Sequence, residues 1–375
     1  TPMDPIQKQI DSIEQEMSKT PYHKGTEGWF GLMRAKVSKL KAQLERPPSQ
    51  GASSGKGGFA VKKFGDATVV LVGFPSVGKS TLLNALTNAK SPVAEYAFTT
   101  VSVIPGMMDF RDAQLQILDV PGLIEGAASG KGKGREVLSV VRGADILLII
   151  AESGKEEDQW TKMVDELYIN GVRINEDRPK VLVKKAVRGG VKINALTKQS
   201  LEKQTIIGVA KEFGVINGEI TIREKLSLDR LVDAFAENRV YVPALFVMNK
   251  IDKHEEFENE YDDVLAISAE NGLGLRELRE KIWETLGLIR VYLRDPKKSS
   301  SGHPRGGSSK TEPMIMAKPA IMRRGDTLQD LLDLLGPDVA IGKTEAKIWG
   351  VGARFEGQTV SFGLKVQDGM EVTFV

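Results

Sequence analysis

Cysteine is absent from the 375 residues of this chain. Its absence removes disulfides, thiol nucleophiles and thiolate zinc sites. Histidine is almost as scarce: His23, His254 and His303 stand far apart, so a histidine-based metal cluster is not expected and each reads as structural or solvated. Long apolar runs are missing too. Nothing approaches the ~18 residues of a bilayer-spanning helix, and the N-terminus lacks the apolar core of a signal peptide. A cytoplasmic protein without a membrane partner is the expectation. An excess of one charge is also lacking. The formal net charge is +2, so bulk charge does not announce a polyanionic partner. What remains is 41% hydrophobic and 27% charged, the profile of a globular chain of about two to four domains.

Ile6, Ile10, Ile13 and Met17 recur at helical spacing, and Met33, Val37, Leu40 and Leu44 repeat the rhythm. The breaker-rich "KTPYHKGTEGWFG" separates them, which predicts a helical hairpin. Lys36, Lys39, Lys41 and Arg46 make its second helix basic, either as a solvated face or as one that touches RNA. "PPSQGASSGKGGF" then reads as a linker. "ATVVLVGF" (67–74), "ADILLII" (144–150), "PALFVMN" (243–249) and "DVLAIS" (263–268) read as buried strands, and "VIPGMMDF" and "AQLQILDV" as two strands turned at Arg111-Asp112. Helical patterns between them predict a mostly parallel α/β sheet. The interval from Asp119 to Asn249 is about twice what a compact α/β unit needs. Residues 171–240 are therefore expected to form a small inserted α/β domain. Its Lys180, Lys184, Lys185, Arg188 and Lys192 are either an RNA surface or an ordinary strand surface. After a helix over 275–286, strands at "IRVYLRD", "KPAIM", "EAKIWG" and "GMEVTFV" surround "TLQDLLDLLG", a helix capped by Thr327 and Gly336. That combination predicts a β-grasp-like module.

"GFPSVGKST" gives Gly73-x4-Gly78-Lys79-Ser80 directly after a buried strand and before a helix, the context of a phosphate-binding loop. Gly73, Pro75, Ser76, Val77, Gly78, Lys79, Ser80 and Thr81 are expected to surround the phosphates. Lys79 supplies a point charge across the β- and γ-phosphates, and Ser80 a hydroxyl to Mg²⁺. Asp119-Val-Pro-Gly122 ends the next strand. Asp119 would hold the metal, and the Gly122 N–H would meet the γ-phosphate. In "YAFTTVSVIPG", Thr100 is the expected switch threonine on Mg²⁺, with Thr99 as the alternative. In "NKID" (249–252), Asp252 can accept from the N1–H and 2-amino group of guanine, donors that adenine lacks on that edge. Asn249 is expected to tie this loop to the base and the phosphate loop, and Lys250 to cover the ring. "SAE" follows another strand, with Ser268 leading to Ala269, whose N–H is placed to meet guanine O6. Four motifs in this order at strand ends point to a guanine-nucleotide site.

Leu123 stands where the best-known small GTPases carry a water-positioning glutamine. Slow hydrolysis of GTP to GDP and phosphate is expected. The alternative is a GTP-stabilised binding or assembly module with negligible turnover.

"GFPSVGKSTLLNALT", "YAFTTVSVIPG", "DVPGLIEGA", "NKID" and "SAE" resemble the motifs of the Obg-related P-loop GTPases. The N-terminal "IEQEMSKTPYHKGTE…LMRAKVSKLKAQL", the long insertion and the C-terminal tail are similar to those of developmentally regulated GTP-binding (DRG) proteins. The resemblance implies an N-terminal helical segment (1–50), a GTPase domain (51–170 and 241–290), a ribosomal-protein-like insertion (171–240) and a TGS domain of β-grasp fold (291–375). It implies Mg²⁺ with GTP or GDP as ligand, and Lys79, Thr100 and Gly122 as the catalytic set. Ribosomes or RNA, in translation, are the implied partners of a monomeric protein, with a separate regulatory binding protein. Some relatives use K⁺ as a charge clamp held by an Asn or Asp. Ser76 matches that position and offers only a neutral oxygen, so potassium activation stands as a hypothesis. The absence of cysteine and the plain sequence fit an archaeal member.

Overall fold

The computed structural model describes residues 4–45, 64–87, 104–120, 140–254, 259–294 and 318–375. Two compact units divide the chain: residues 1–60 with 164–242, and residues 61–163 with 243–375.

The second of these units is built on a six-stranded sheet. Its strands are β1 (Ala67–Gly73), β2 (Ile104–Phe110), β3 (Ala113–Asp119), β4 (Ile146–Glu152), β10 (Ala244–Asn249) and β11 (Val264–Ala266), in the order β11-β10-β4-β1-β3-β2. All neighbours pair in parallel except β2 and β3. That exception is a tight hairpin. Arg111 and Asp112 both have positive φ, 51° and 67°, the backbone twist that suits a two-residue hairpin turn. Every residue of β1 is buried, and so is every residue of β4 before Glu152. Continuous Val, Ile and Leu runs follow from burial on both faces. The helices α3 (Lys79–Leu86) and α7 (Leu275–Leu286) supply Leu82, Leu83, Leu86, Leu278 and Ile282 to the core around Val69, Leu71, Ile117 and Leu148. Apart from the buried Thr68–Gln116 hydrogen bond, apolar packing fills the middle of the sheet. Because β1, β3, β4 and β10 are parallel, Gly73, Asp119, Glu152 and Asn249 all emerge at one edge.

The same unit carries a five-stranded sheet of β12 (Leu288–Leu293), β13 (Ala320–Arg323), β14 (Ala346–Gly350), β15 (Gln358–Val360) and β16 (Met370–Phe374), ordered β13-β12-β16-β14-β15. Helix α8 (Leu328–Leu335) covers one face with Leu328, Leu331 and Leu332, against Val291, Ile348 and Val372. Its start follows the capping-box rule: Thr327 accepts from the Asp330 N–H, and the Asp330 carboxylate accepts from the Thr327 N–H at 2.7 Å. Arg323 of β13 reaches Asp145 at 2.7 Å, and that carboxylate also accepts from the Thr68 N–H of β1.

The other unit holds helices α1 (Pro5–Lys19) and α2 (Glu27–Glu45) with a three-stranded sheet, β6 (Val181–Lys185), β7 (Val191–Ala195) and β8 (Gly218–Ile222), ordered β6-β8-β7. Helices α5 (Lys203–Glu212) and α6 (Leu228–Phe235) pack Ile206, Val209 and Leu231 on Ile220 and Ile222. A side chain at Gly31 of α2 would come within 3.0 Å of Val209 and 3.1 Å of Leu228, so glycine permits this close helix approach. Two lysines of the basic second helix are engaged within the unit: Lys39 pairs with Glu212 at 3.0 Å and Lys41 with Glu14 at 3.1 Å. Arg46 lies outside the described residues. A short parallel pair, β5 (Val172–Ile174) with β9 (Val240–Val242), rests on the buried Arg173–Asp233 ion pair. Among the described residues no helix is long and apolar enough to cross a membrane.

Candidate nucleotide site

Strand β1 ends at Gly73, the chain turns through Phe74 to Gly78, and α3 begins at Lys79. The Lys79 side chain is buried, and its Nζ donates to the carbonyl oxygens of Gly73 and Phe74, both at 2.9 Å. The ammonium is thus drawn back across the loop it belongs to. Pro75, Ser76, Ser80 and Thr81 are exposed at the loop, and Val77 is buried beneath it. Ser76 adopts φ 65°, a left-handed conformation uncommon for a residue with a side chain.

Asp119 closes β3 in register with Leu71 of β1. Ser80 Oγ donates to Asp119 Oδ2 at 2.7 Å. The other oxygen, Asp119 Oδ1, is buried without a hydrogen-bond partner. Such an atom is costly to leave unsatisfied. A hydroxyl beside a carboxylate with one orphaned oxygen is a hard, oxygen-only donor set that suits Mg²⁺, which takes few protein ligands and fills its shell from phosphates and water.

Asn249 ties the loop after β10 to the loop after β1. Asn249 ends β10, is buried, and donates through Nδ2 to the Val77 carbonyl at 2.8 Å. Its Oδ1 accepts from the Ala269 N–H at 3.0 Å. The approach depends on Gly78, which has φ 96° and whose absent Cβ would fall 2.3 Å from Asn249 Nδ2. The Ala269 N–H, expected to meet guanine O6, is given to Asn249 and joins two loops. Ser268 is fully buried, and its Oγ accepts from the Asn271 N–H at 3.2 Å. Asp252 is exposed just beyond the strand end. Lys250 has φ 67°, after Ser76 a second left-handed residue with a side chain in the site.

Sequence reading missed Glu152. It ends β4 in register with Asn249, and its carboxylate accepts from Lys250 at 3.0 Å, Lys253 at 3.1 Å and Lys155 at 3.1 Å. These cations, Lys250 foremost, hold its carboxyl down to about 2. An acidic residue closing the buried run "ILLIIAE" was the available signal. Thr100, Thr99, Gly122 and Leu123 lie outside the described residues, so the structure brings together Lys79, Ser80, Asp119, Asn249, Lys250, Asp252 and Ala269 from four strand ends.

Comparison with known proteins gives this geometry its context. Residues 68–185 match the family model described as a 50S ribosome-binding GTPase, and residues 188–288 match that of the C-terminal region of the same domain family. A GTP-binding protein of Halobacterium salinarum is 41% identical over 95% of both chains. One of Methanocaldococcus jannaschii is 40% identical over 99% of this chain and 93% of the relative. Developmentally-regulated GTP-binding protein 2 of Homo sapiens is 36% identical over 95% of both. The higher identities to archaeal relatives are consistent with an archaeal member. With matches of this depth across nearly the whole chain, and a strand-end site built for a nucleotide, the chain belongs to the family of developmentally regulated GTP-binding proteins and is a GTPase.

Proposed function

We propose that this GTPase is a magnesium-dependent switch with slow intrinsic hydrolysis, and that it works with ribosomes or RNA. The observation that carries the metal assignment is the Ser80–Asp119 pair, with a buried, unpartnered Asp119 Oδ1 beside it. Bound Mg²⁺ would supply charge neutralisation for the β- and γ-phosphates, held by Ser80 and Asp119. Lys79 spreads its charge across the same phosphates, and the backbone N–H groups at the start of α3 face them. Thr100 would complete the metal site in the GTP state, and the Gly122 N–H would report the γ-phosphate. Asp252 reads the guanine edge, while Asn249 keeps the base loop in step with the phosphate loop. The Leu123 side chain has no hydrogen-bonding atom, so another group must orient the attacking water, which is the reason to expect slow turnover. K⁺ beside Ser76 is one source of added positive charge.

Single-turnover GTP hydrolysis with Mg²⁺ or with EDTA tests the assignment. Turnover should collapse in EDTA and in Asp119→Ala. Rates unaffected by both would refute it. Equal rates in KCl and NaCl at matched ionic strength would remove potassium.

The ribosome reading is supported by the description of the matching family and by an exposed basic sheet face. Lys184, Lys192 and Glu219 are exposed cross-strand neighbours, with Lys180, Lys185 and Arg188 alongside. Residues 1–50 and 171–240 are proposed as an N-terminal helical segment and an insertion, and 291–375 as a TGS domain, around a GTPase domain of 51–170 and 241–290. Cosedimentation with ribosomes in GDP against a non-hydrolysable GTP analogue, across salt concentrations, checks the partner. An electrostatic contact should weaken steeply with salt.

A further inference from the structure

Among the described residues, Glu152 is a carboxylate at this strand edge that touches the base loop and has no assigned task. It is presented rigidly. Its N–H donates to Gln159 Oε1 at 2.9 Å, its carbonyl accepts from the Lys155 N–H at 3.0 Å, and the next N–H, of Ser153, donates to the Asn249 carbonyl at 3.0 Å. The backbone on both sides of the side chain is therefore fixed, and β4 is locked to β10 in the register that sets Glu152 beside Asn249.

The three lysines that reach it are not equivalent. Lys155 and Lys253 are 65% and 57% exposed, so their pairs with Glu152 are screened surface contacts of little consequence. Lys250 is 23% exposed and Glu152 18%, so this pair is less screened. Lys250 also holds a left-handed backbone, φ 67°, which a residue with a side chain keeps only where its surroundings over-determine it. An anchor on Nζ supplies one such constraint. A lysine anchored at its end has little freedom left in its four-carbon stem, and that apolar stem is suited to lie along a flat ring.

We propose that Glu152 is a positioning residue of the guanine pocket, anchoring Lys250 so that its aliphatic stem is held ready against the face of a guanine base. This rests on the reading of Asn249 to Asp252 as the base-recognition loop. Glu152 itself touches no nucleotide in this scheme. Its effect passes entirely through Lys250, and it acts on the base, so GDP and GTP should feel it alike.

A double-mutant cycle on the full-length protein, read as the Kd for GDP by calorimetry, tests it. Glu152→Gln should weaken GDP about fivefold, the scale of a partly screened ion pair. Lys250→Met should weaken it at least as much. In the Lys250→Met background, Glu152→Gln should have no further effect, because the group it positions is gone. Equal losses from Glu152→Gln with and without the Lys250 amine would overturn the proposal and leave Glu152 a structural residue of β4. So would a loss for GTP that is not matched for GDP. Asp252→Asn, measured in parallel against GDP and xanthosine diphosphate, isolates the underlying reading. If it leaves GDP binding intact, the base loop has been misassigned. If it switches preference to xanthosine diphosphate while the cycle shows no coupling, only the role of Glu152 fails.

Discussion

The six-stranded and three-stranded sheets use their surfaces in opposite ways. In β1 and β4 every residue before the last is buried, and chemistry is confined to the ends: Gly73, Asp119, Glu152 and Asn249. Over the first four residues of β6 and β7 half-buried and exposed positions alternate. Val181, Val183, Val191 and Ile193 face the helices, while Leu182, Lys184, Lys192 and Asn194 face outward. A sheet covered on both faces can offer only an edge, where a few groups converge on a small ligand. A sheet covered on one face offers a broad plane that suits a large partner and demands little convergence. Substitutions should therefore be severe and local in the first and mild and additive in the second.

The largest expected effect is that of Lys79→Ala. In the proposed site, losing the Lys79 charge beside the phosphates should weaken GTP by about 100-fold or more and abolish hydrolysis. Fluorescent-nucleotide binding and phosphate release would check it, and retained turnover would break the contrast. Next comes Asn249→Ala, which leaves the Val77 carbonyl and the Ala269 N–H, both at buried positions, without this partner. It should cost about 1–3 kcal/mol of stability as well as nucleotide affinity, seen in denaturant unfolding of the free protein.

A third prediction concerns acid. Glu152 has its folded pKa lowered from 4.5 to about 2 by Lys250, Lys155 and Lys253. Its contribution is present above the unfolded value and is lost as pH falls from about 4.5 toward 2. Stability against pH should be flatter for Glu152→Gln than for the native chain in that window, and identical slopes would deny the ion pairs in solution. The smallest effect belongs to the open sheet. Lys184→Ala with Lys192→Ala should change stability by less than about 0.5 kcal/mol each. The same pair should lower the salt dependence of ribosome cosedimentation if that face meets RNA.

Much of the nucleotide edge was legible in the sequence because its signals are local. A phosphate loop is a short run between a buried strand and a helix, and "NKID" is four consecutive residues. The helix over Leu328–Leu335 announced both ends, with Thr327 and Gly336 at its caps. Elements with weak local signals were harder to read. β15 is three residues long, and α6, Leu228–Phe235, lacks a breaker before it, although its Ser227 cap accepts from the Arg230 N–H. The basic second helix looked available for a partner, yet Lys39 and Lys41 are held by Glu212 and Glu14, contacts no local pattern reveals.

By itself, then, the sequence determined which residues carry charge, that β1 and β4 are buried on both faces, and that the phosphate-loop, Asp119 and "NKID" motifs follow one another; β11, also expected to be buried, is half-buried along its length. Short-range periodicity and turn chemistry suffice for that, since each involves residues a few positions apart. Only the tertiary structure decided that Asn249 holds Val77 from 172 positions away, and that Glu152 meets Lys250 across 98. Those pairings follow from the parallel register of β4 and β10, and register is fixed by packing a whole core, not by any stretch of chain within it.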